Sequence, residues 1–563
     1  MPSSISGSVG EGGVNRPEDV RTVYALFNKI LLAPLAVSDI CSAELVQAIK
    51  TLQATFMSRP DGRIDVNGGT WRRLLETAEP SGGGSNLSGS GGAWVAQHQW
   101  SDSYEAEFSR WIEQLYTKKG PTLTACLRNP AANSLYSDAD RNISVFSDCA
   151  DLPYLLRAYF CYKKKLPFSF NSTISGGRYT NGNTPSARKS FLSYASFSSL
   201  TRAISNSVHS GFFRYFWTME KTDTYLAEVS RDSIMPGAIY YDANGHVLVV
   251  GKVDADGTVW LMDGHPDNSL TSKRFGESLS RGSCKSGGGF RRWRQQTMNG
   301  SSIVLATNRE ERFFDSGQSQ CQSSYRVDGF DLNYHQWVKR RMASGNVRID
   351  PVNELTQQLT AFHAALKERV DSVTTATDNG IHRKAHPGSL PHNIYGAEGE
   401  WETYSTPGRD ARLKAQVKEI FGFISQSVEA VARGSHPYIF SGTASQLVRQ
   451  YVEIWQDSSE RLRISYTNSA GTAVSLTLAD IMDRLFKISF DPYHCPELRW
   501  GDTQSTVCQD GTVKRDWYNK EQRLRNVITP DSSAHTTVDW GTLNPPDIHI
   551  GKLLERLKQQ HSA

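Results

Sequence analysis

At 563 residues the chain is too long for one ordinary hydrophobic core and points to about three or four domains. Hydrophobic residues make up 38% of it, enough for several packed cores, which excludes wholesale disorder. Sixty-two Lys and Arg against fifty-eight Asp and Glu leave a formal charge of +4, too near balance for a nucleic-acid binder driven by bulk charge.

The opening MPSSISGSVGEGG has no basic stretch followed by an apolar run, so no secretory signal peptide is expected. No stretch reaches the ~18 to 20 apolar residues of a membrane span. The best, residues 23–37, is interrupted by Asn28, Lys29 and Pro34. Residues 1–80 read as a small helical unit. Asn15-Arg16-Pro17-Glu18-Asp19 is a helix-start signal, and Val20, Val23, Tyr24, Phe27 and Leu31 follow at helical spacing. A second amphipathic helix is predicted over 43–57 and ends at the turn Arg59-Pro60-Asp61-Gly62; a third opens at Gly68-Gly69-Thr70. Residues 81–92, SGGGSNLSGSGG, have the composition of a flexible tether.

Residues 93–345 mix helix and strand. Helices are predicted over 104–116 and 152–162, and strands over 238–241, 246–253 and 258–262, the last two joined by Asp254-Ala255-Asp256-Gly257. Residues 346–563 read as mainly helical, with apolar faces over 352–373, 410–433 and 445–455. The expected fold is therefore α+β and multidomain: a helical unit (1–80), a tether (81–92), a mixed domain (93–345) and a mainly helical region of unknown role (346–563).

The chemistry-bearing residues cluster in the mixed domain. Asp148-Cys149-Ala150-Asp151 directly precedes an apolar helix whose start is pinned by Pro153. A thiol at such a position meets unpaired N–H groups and the positive end of the helix dipole, which favour a nucleophilic thiolate. Downstream, PGAIYY is a strand, and GHVLVV opens a second strand with His246 at its first position. If Val253 pairs with Thr258, His246 lies opposite His265 and Leu248 opposite Asp263, all on one face. Either Asp263 or His265 is then placed to hold the far ring nitrogen of His246.

Cysteine at a helix start, PGAIYY, GHVLVV and a following strand with a polar third member together resemble the NlpC/P60 branch of the papain-like cysteine peptidases, over roughly residues 130–270. The resemblance implies cleavage of an amide bond in peptidoglycan, within the stem peptide or between stem and sugar. It makes Cys149 the nucleophile, His246 the base and then acid, and Asp263 or His265 the orienting residue. The Cys149 N–H, with an upstream side chain such as Tyr136, would stabilise the oxyanion. Asp-Cys-Ala-Asp stands where the family usually has Asp-Cys-Ser-Gly, and an insertion of about sixty residues, 169–232, must fold over or beside the cleft.

The N-terminal VNRPEDVRTVYALFNKIL and DGRIDVNGGTWRRLLE resemble small three-helix peptidoglycan-binding domains. A wall-binding unit tethered to a cysteine amidase, without an export signal, resembles antibacterial effectors delivered by type VI secretion; a phage lysin would share these features. The partners implied are peptidoglycan, an immunity protein and a component of the secretion apparatus, and the place of action is the periplasm and cell wall of a target bacterium. No cofactor, metal, nucleic acid or membrane span is expected. Two other readings stand beside this one: a catalytically idle wall-binding adaptor, and a papain-like toxin of transglutaminase or deamidase type acting on proteins.

Other features carry weaker expectations. The couples Cys495/Cys508 and Cys284/Cys321 are candidate disulfides, which implies an oxidising compartment. Cys161 lies in the apolar helix and reads as core. Arg281, Lys285, Arg291, Arg292 and Arg294 around Phe290 and Trp293 read as a solvated loop, or else as an anion-binding patch. His382 and His386 lie four apart, but Asn379-Gly380 and Pro387 argue against a helix and there is no HExxH glutamate. Glu398, Glu400 and Glu402 around Trp401 offer paired carboxylates but read as solvated acids in a loop.

Overall fold

The computed structural model describes residues 5–28, 35–53, 60–66, 68, 70, 71, 74, 92–282, 284–315, 317–322, 324–327, 330–345, 349–395, 399–434, 438–528 and 541–561. The chain divides into two compact units, Met1–Ser88 and Gly89–Ala563. The division falls within the expected tether, which lies, apart from Gly92, outside the described residues.

In the first unit, α1 (Pro17–Phe27) begins on Pro17 with Glu18 and Asp19 in its first turn, as its sequence predicts. The buried Asp19 carboxylate accepts from the N–H groups of Ser6 (2.9 Å) and Gly7 (2.8 Å). Packed with α1 are α2 (Ala43–Gln53) and a two-residue ladder of β1 (Val9–Gly10) with β2 (Arg63–Ile64). Val20, Val23, Tyr24, Phe27, Leu45, Ile49 and Trp71 form the core. Buried Gln53 secures the turn before β2: its amide donates to Asp61 Oδ1 and Arg63 O, and its oxygen accepts from Gly62 N at 2.7 Å. Most of the third predicted helix lies outside the described residues.

The second unit has no division near residue 345, so the expected border between a mixed and a helical domain does not separate compact bodies. It is α+β. Two helices, α3 (Asp102–Thr117) and α4 (Leu152–Lys164), accompany an antiparallel sheet built from β3 (Thr224–Leu226), β4 (Ile239–Asp242), β5 (His246–Val253), β6 (Val259–Gly264), β7 (Leu270–Arg274) and β8 (Gly289–Trp293). The spatial order is β3-β8-β4-β5-β6-β7. Tyr240, Leu248, Val250, Leu261, Phe275, Phe290 and Val338 make a core on one face. The backbone of β5 approaches α3 closely: a Cβ at Gly251 would lie 2.2 Å from the Tyr116 ring.

The hairpin register differs from expectation at the turn and returns to it at the site. Val253 pairs with Val259, not Thr258, and a bulge at Gly251 removes the one-residue offset, so that Val250 faces Leu261 and Val249 faces Met262. Continued along both strands, this register sets Leu248 opposite Asp263 and His246 opposite His265.

Long helices α5 (Pro351–Asp378), α6 (Pro407–Ala432) and α7 (Ala444–Arg461) pack with α8 (Ile550–Gln560) around Leu359, Phe362, Val417, Ile424, Leu447 and Leu554. Cys495 and Cys508 form a disulfide, as expected. Cys321 is also disulfide-bonded, and the side chain of Cys284 lies outside the described residues. Cys161 is buried. The basic stretch is neither a solvated loop nor a binding patch at its centre. Residues Gly289–Trp293 form an interior strand of the sheet, and Arg291 and Arg294 are buried, with Arg294 donating to Thr222 O and Asn308 Oδ1. Glu400 pairs with Lys384 and Glu402 with Arg178, while Glu398 lies outside the described residues.

Candidate active site

Cys149 lies in the tight turn that enters α4. The Asp148 carboxylate accepts from the N–H groups of Ala150 (2.8 Å) and Asp151 (3.1 Å), and Asp151 Oδ1 accepts from Asp148 N at 2.7 Å. The N–H of Cys149 itself is not among the donors so engaged. The turn rests on the end of β6: a Cβ at Gly264 would come within 2.6 Å of Asp148 O. Ser147 N is further held by Asn268 Oδ1 at 3.0 Å.

The Cys149 thiol lies near the backbone N–H of Val247, the residue after His246, and near enough to Asp263 to feel its charge. His246 Nε2 is 2.7 Å from Asp263 Oδ2, which leaves Nδ1 as the ring nitrogen able to face a thiol. The choice between Asp263 and His265 is made by the next strand. Asp263 pairs with Thr271 on β7, whose hydroxyl donates to Asp263 Oδ1 at 2.5 Å and meets His265 Nε2 at 2.8 Å. His265 thus bonds Thr271 instead of His246, its ring stacks on the His246 ring with centroids 6.0 Å apart, and its Nδ1 faces Arg409 of α6 at 3.4 Å.

Charges from α5 and α6 complete the surroundings. Lys273 Nζ lies 3.1 Å from Asp263 Oδ2 and 2.7 Å from Glu368 Oε2. Burial pushes the Asp263 carboxyl up, but Lys273, then His265 and His246, outweigh it and hold it well below the usual range. Burial lowers His246 against the opposing pull of Asp263, and nearby Arg412 lowers it further. Burial also sets His265 well below the usual imidazole range.

The thiol runs against expectation. Burial raises Cys149, Asp148 adds to this, and Asp263 and Asp151 act in the same direction; the Val247 N–H offsets only part. The helix start does not lower it because the N–H groups flanking Cys149 are occupied by carboxylates, which bring negative charge to the sulfur. Burial and Asp148 push Asp151 itself up to about 8. Burial thus disfavours charge on both the Cys149 thiol and the His246 ring.

Cys149, His246, Asp263 and His265 are thus brought to one place. Tyr136 is not: it precedes Ser137, whose hydroxyl is bonded by Lys163 at the far end of α4. Tyr179, from the 169–232 insertion, comes near enough to Cys149 to feel its charge, and its hydroxyl donates to Tyr395 O at 2.8 Å. Sequence reasoning passed over Thr271 and Lys273, although the turn Pro266-Asp267-Asn268 followed by Leu270-Thr271-Ser272-Lys273 is a hairpin signal that sets Thr271 opposite Asp263.

A half-buried cysteine and histidine gathered about a buried aspartate on an α+β scaffold make up the site. No family model, curated protein or solved structure matches the chain. Among the described residues no helix is long and apolar enough to cross a membrane.

Proposed function

We propose that this protein is a cysteine-type peptidoglycan hydrolase that cuts an amide of the stem peptide, or the amide joining stem to sugar, and serves as an antibacterial toxin. The observation that carries this reading is the His246–Asp263 pair, 2.7 Å apart, on strands whose end packs against the turn that bears Cys149. His246 takes the thiol proton as sulfur attacks the amide carbonyl. The same proton passes to the departing amine, and a water activated by His246 then releases the acyl group and restores the thiol. The Cys149 N–H, which the turn's carboxylates do not take, would serve as a donor to the developing oxyanion. The disulfides suit an oxidising compartment such as the periplasm, and the first unit would hold the enzyme on the wall.

Muropeptide profiling of sacculi digested with wild-type and Cys149→Ala protein tests the reading: new amines and soluble fragments are expected from the first and none from the second. Full activity in Cys149→Ala would overturn it. The raised thiol favours one rival, an idle wall-binding protein, which would pellet with sacculi and release nothing.

A further inference from the structure

The mainly helical part of the chain holds a second buried cluster that the hydrolytic site does not use. His386 follows α5 in a non-helical segment, Asp491 lies in the Phe490-Asp491-Pro492-Tyr493-His494 stretch, and Glu521 caps a short helix near the C-terminus. One ligand atom from each lies within 4.8 Å of the others. The three side chains are fully buried. Trp517 stacks on the His386 ring at 4.9 Å and 16°.

The hydrogen-bond chemistry of this cluster is incomplete. Both carboxylate oxygens of Glu521 are buried without a hydrogen-bond partner. Asp491 cannot supply one, because two carboxylates only accept; a shared proton or a cation has to stand between them. His386 Nδ1 faces the carbonyl oxygen of Pro387, which only accepts, so Nδ1 carries the hydrogen. Nε2 stands 2.8 Å from Asp491 Oδ2, and a cation set between the ring and the carboxylates would take the Nε2 lone pair in place of the proton of that bond. An imidazole that donates one N–H to a backbone carbonyl and offers the other nitrogen to a carboxylate pair has the arrangement of a metal-ligating histidine.

Neighbouring cations do not fill the gap. Arg525 approaches Glu521 only to 3.6 Å and gives its terminal N–H groups to Tyr518 O and Gln522 Oε1. Arg499 donates to Thr406 Oγ1, and Arg369 to Asp410. His494 is satisfied elsewhere, between Ser489 Oγ (2.8 Å) and Lys514 O (3.1 Å), and is not a ligand.

We propose that His386 Nε2, Asp491 and Glu521 form a closed site for one first-row divalent cation, Zn²⁺ or Mn²⁺, that fastens three separate segments of the helical region together. One nitrogen and two carboxylates suit these ions better than Ca²⁺ or Mg²⁺, which favour oxygen ligands alone. Two ligands each about 2.1 Å from one ion are at most about 4.2 Å apart, so small side-chain movements close the set. The burial of all three side chains makes the role structural. The site is independent of the cysteine chemistry and is tested without an activity assay.

The full chain, produced in metal-depleted medium, is loaded with Zn²⁺ or Mn²⁺, passed over a desalting column and analysed for metal per chain and for Tm. The expected result is about one retained equivalent and a higher Tm on loading, with at least a tenfold loss of affinity in Glu521→Gln; Cys149→Ala excludes the thiol as the binder by retaining the equivalent. Failure of both ions to be retained, or unchanged retention in Glu521→Gln, overturns the proposal and assigns the pair a shared proton. Should Glu521→Gln not fold, the metal-free and loaded wild-type proteins still decide: equal Tm values and no retained ion refute the site.

Discussion

His246 Nε2 meets Asp263 Oδ2 at 2.7 Å, Lys273 shares that oxygen at 3.1 Å, and Thr271 donates to the other carboxylate oxygen. Asp263 is thus the hinge of the cluster: it fixes the His246 ring while its own position is set by the neighbouring strand. Asp263→Asn keeps the shape but allows the wrong imidazole tautomer. Amide hydrolysis is expected to fall by about 10²- to 10⁴-fold. Release of amines from sacculi, with circular dichroism as the check on folding, measures this.

The raised thiol has a chemical signature. Because burial, Asp148, Asp263 and Asp151 all disfavour the thiolate, Cys149 should react slowly with iodoacetamide at neutral pH and faster as the solution becomes alkaline. Mass-spectrometric timing of Cys149 alkylation across pH 6 to 10 tests it (about the range that brackets an ordinary thiol). Fast labelling at pH 6 would contradict the carboxylate-rich turn.

Activity should fade on the acid side below the ordinary imidazole value of 6.5, because His246 must be neutral to act as base and its burial lowers its pKa. Arg412→Gln removes a cation that also lowers His246, so the acid limb of the rate profile should move to higher pH.

Folding stability follows the same sign. His246 and His265 both titrate lower in the folded protein than the 6.5 of the unfolded chain. The folded state therefore binds fewer protons. Their contribution is fully present above pH 6.5 and is lost as pH falls through their folded-state values. Thermal unfolding between about pH 7 and pH 4 should show a declining Tm, and His265→Gln should flatten the decline.

Gly264 gives a positional test. A methyl group there would stand 2.6 Å from Asp148 O, a backbone atom, so Gly264→Ala must separate the strand end from the turn carrying Cys149. The expected outcome is a loss of stability of about 1 to 3 kcal/mol and a larger proportional loss of activity, read by denaturant unfolding and amine release.

Much of this site was legible in the chain. His246–Val253 is a strand with the predicted bounds, and the predicted register is recovered at Val250–Leu261 and Val249–Met262, toward the site end of the hairpin. It is recovered through a bulge at Gly251 that compensates for a turn one residue longer than expected. What local pattern could not show was set by distant groups. The tautomer partner of His246 depends on Thr271, and the direction of the thiol shift depends on carboxylates that reach Cys149 through turn geometry. The basic run at 289–294 misled because its charges alternate with aromatic residues in a strand that the sheet buries on both sides.

Glu368, Arg409, Tyr395 and Glu402 all reach the residues around His265 and Asp263 or the 169–232 insertion from beyond residue 345. Trimming the polypeptide there to obtain a minimal enzyme would strip Lys273 and Arg178 of their counter-ions and lay the His265 side bare to water. The tail is therefore a wall of the Cys149–His246–Asp263 cluster, and substitutions in it should be felt there.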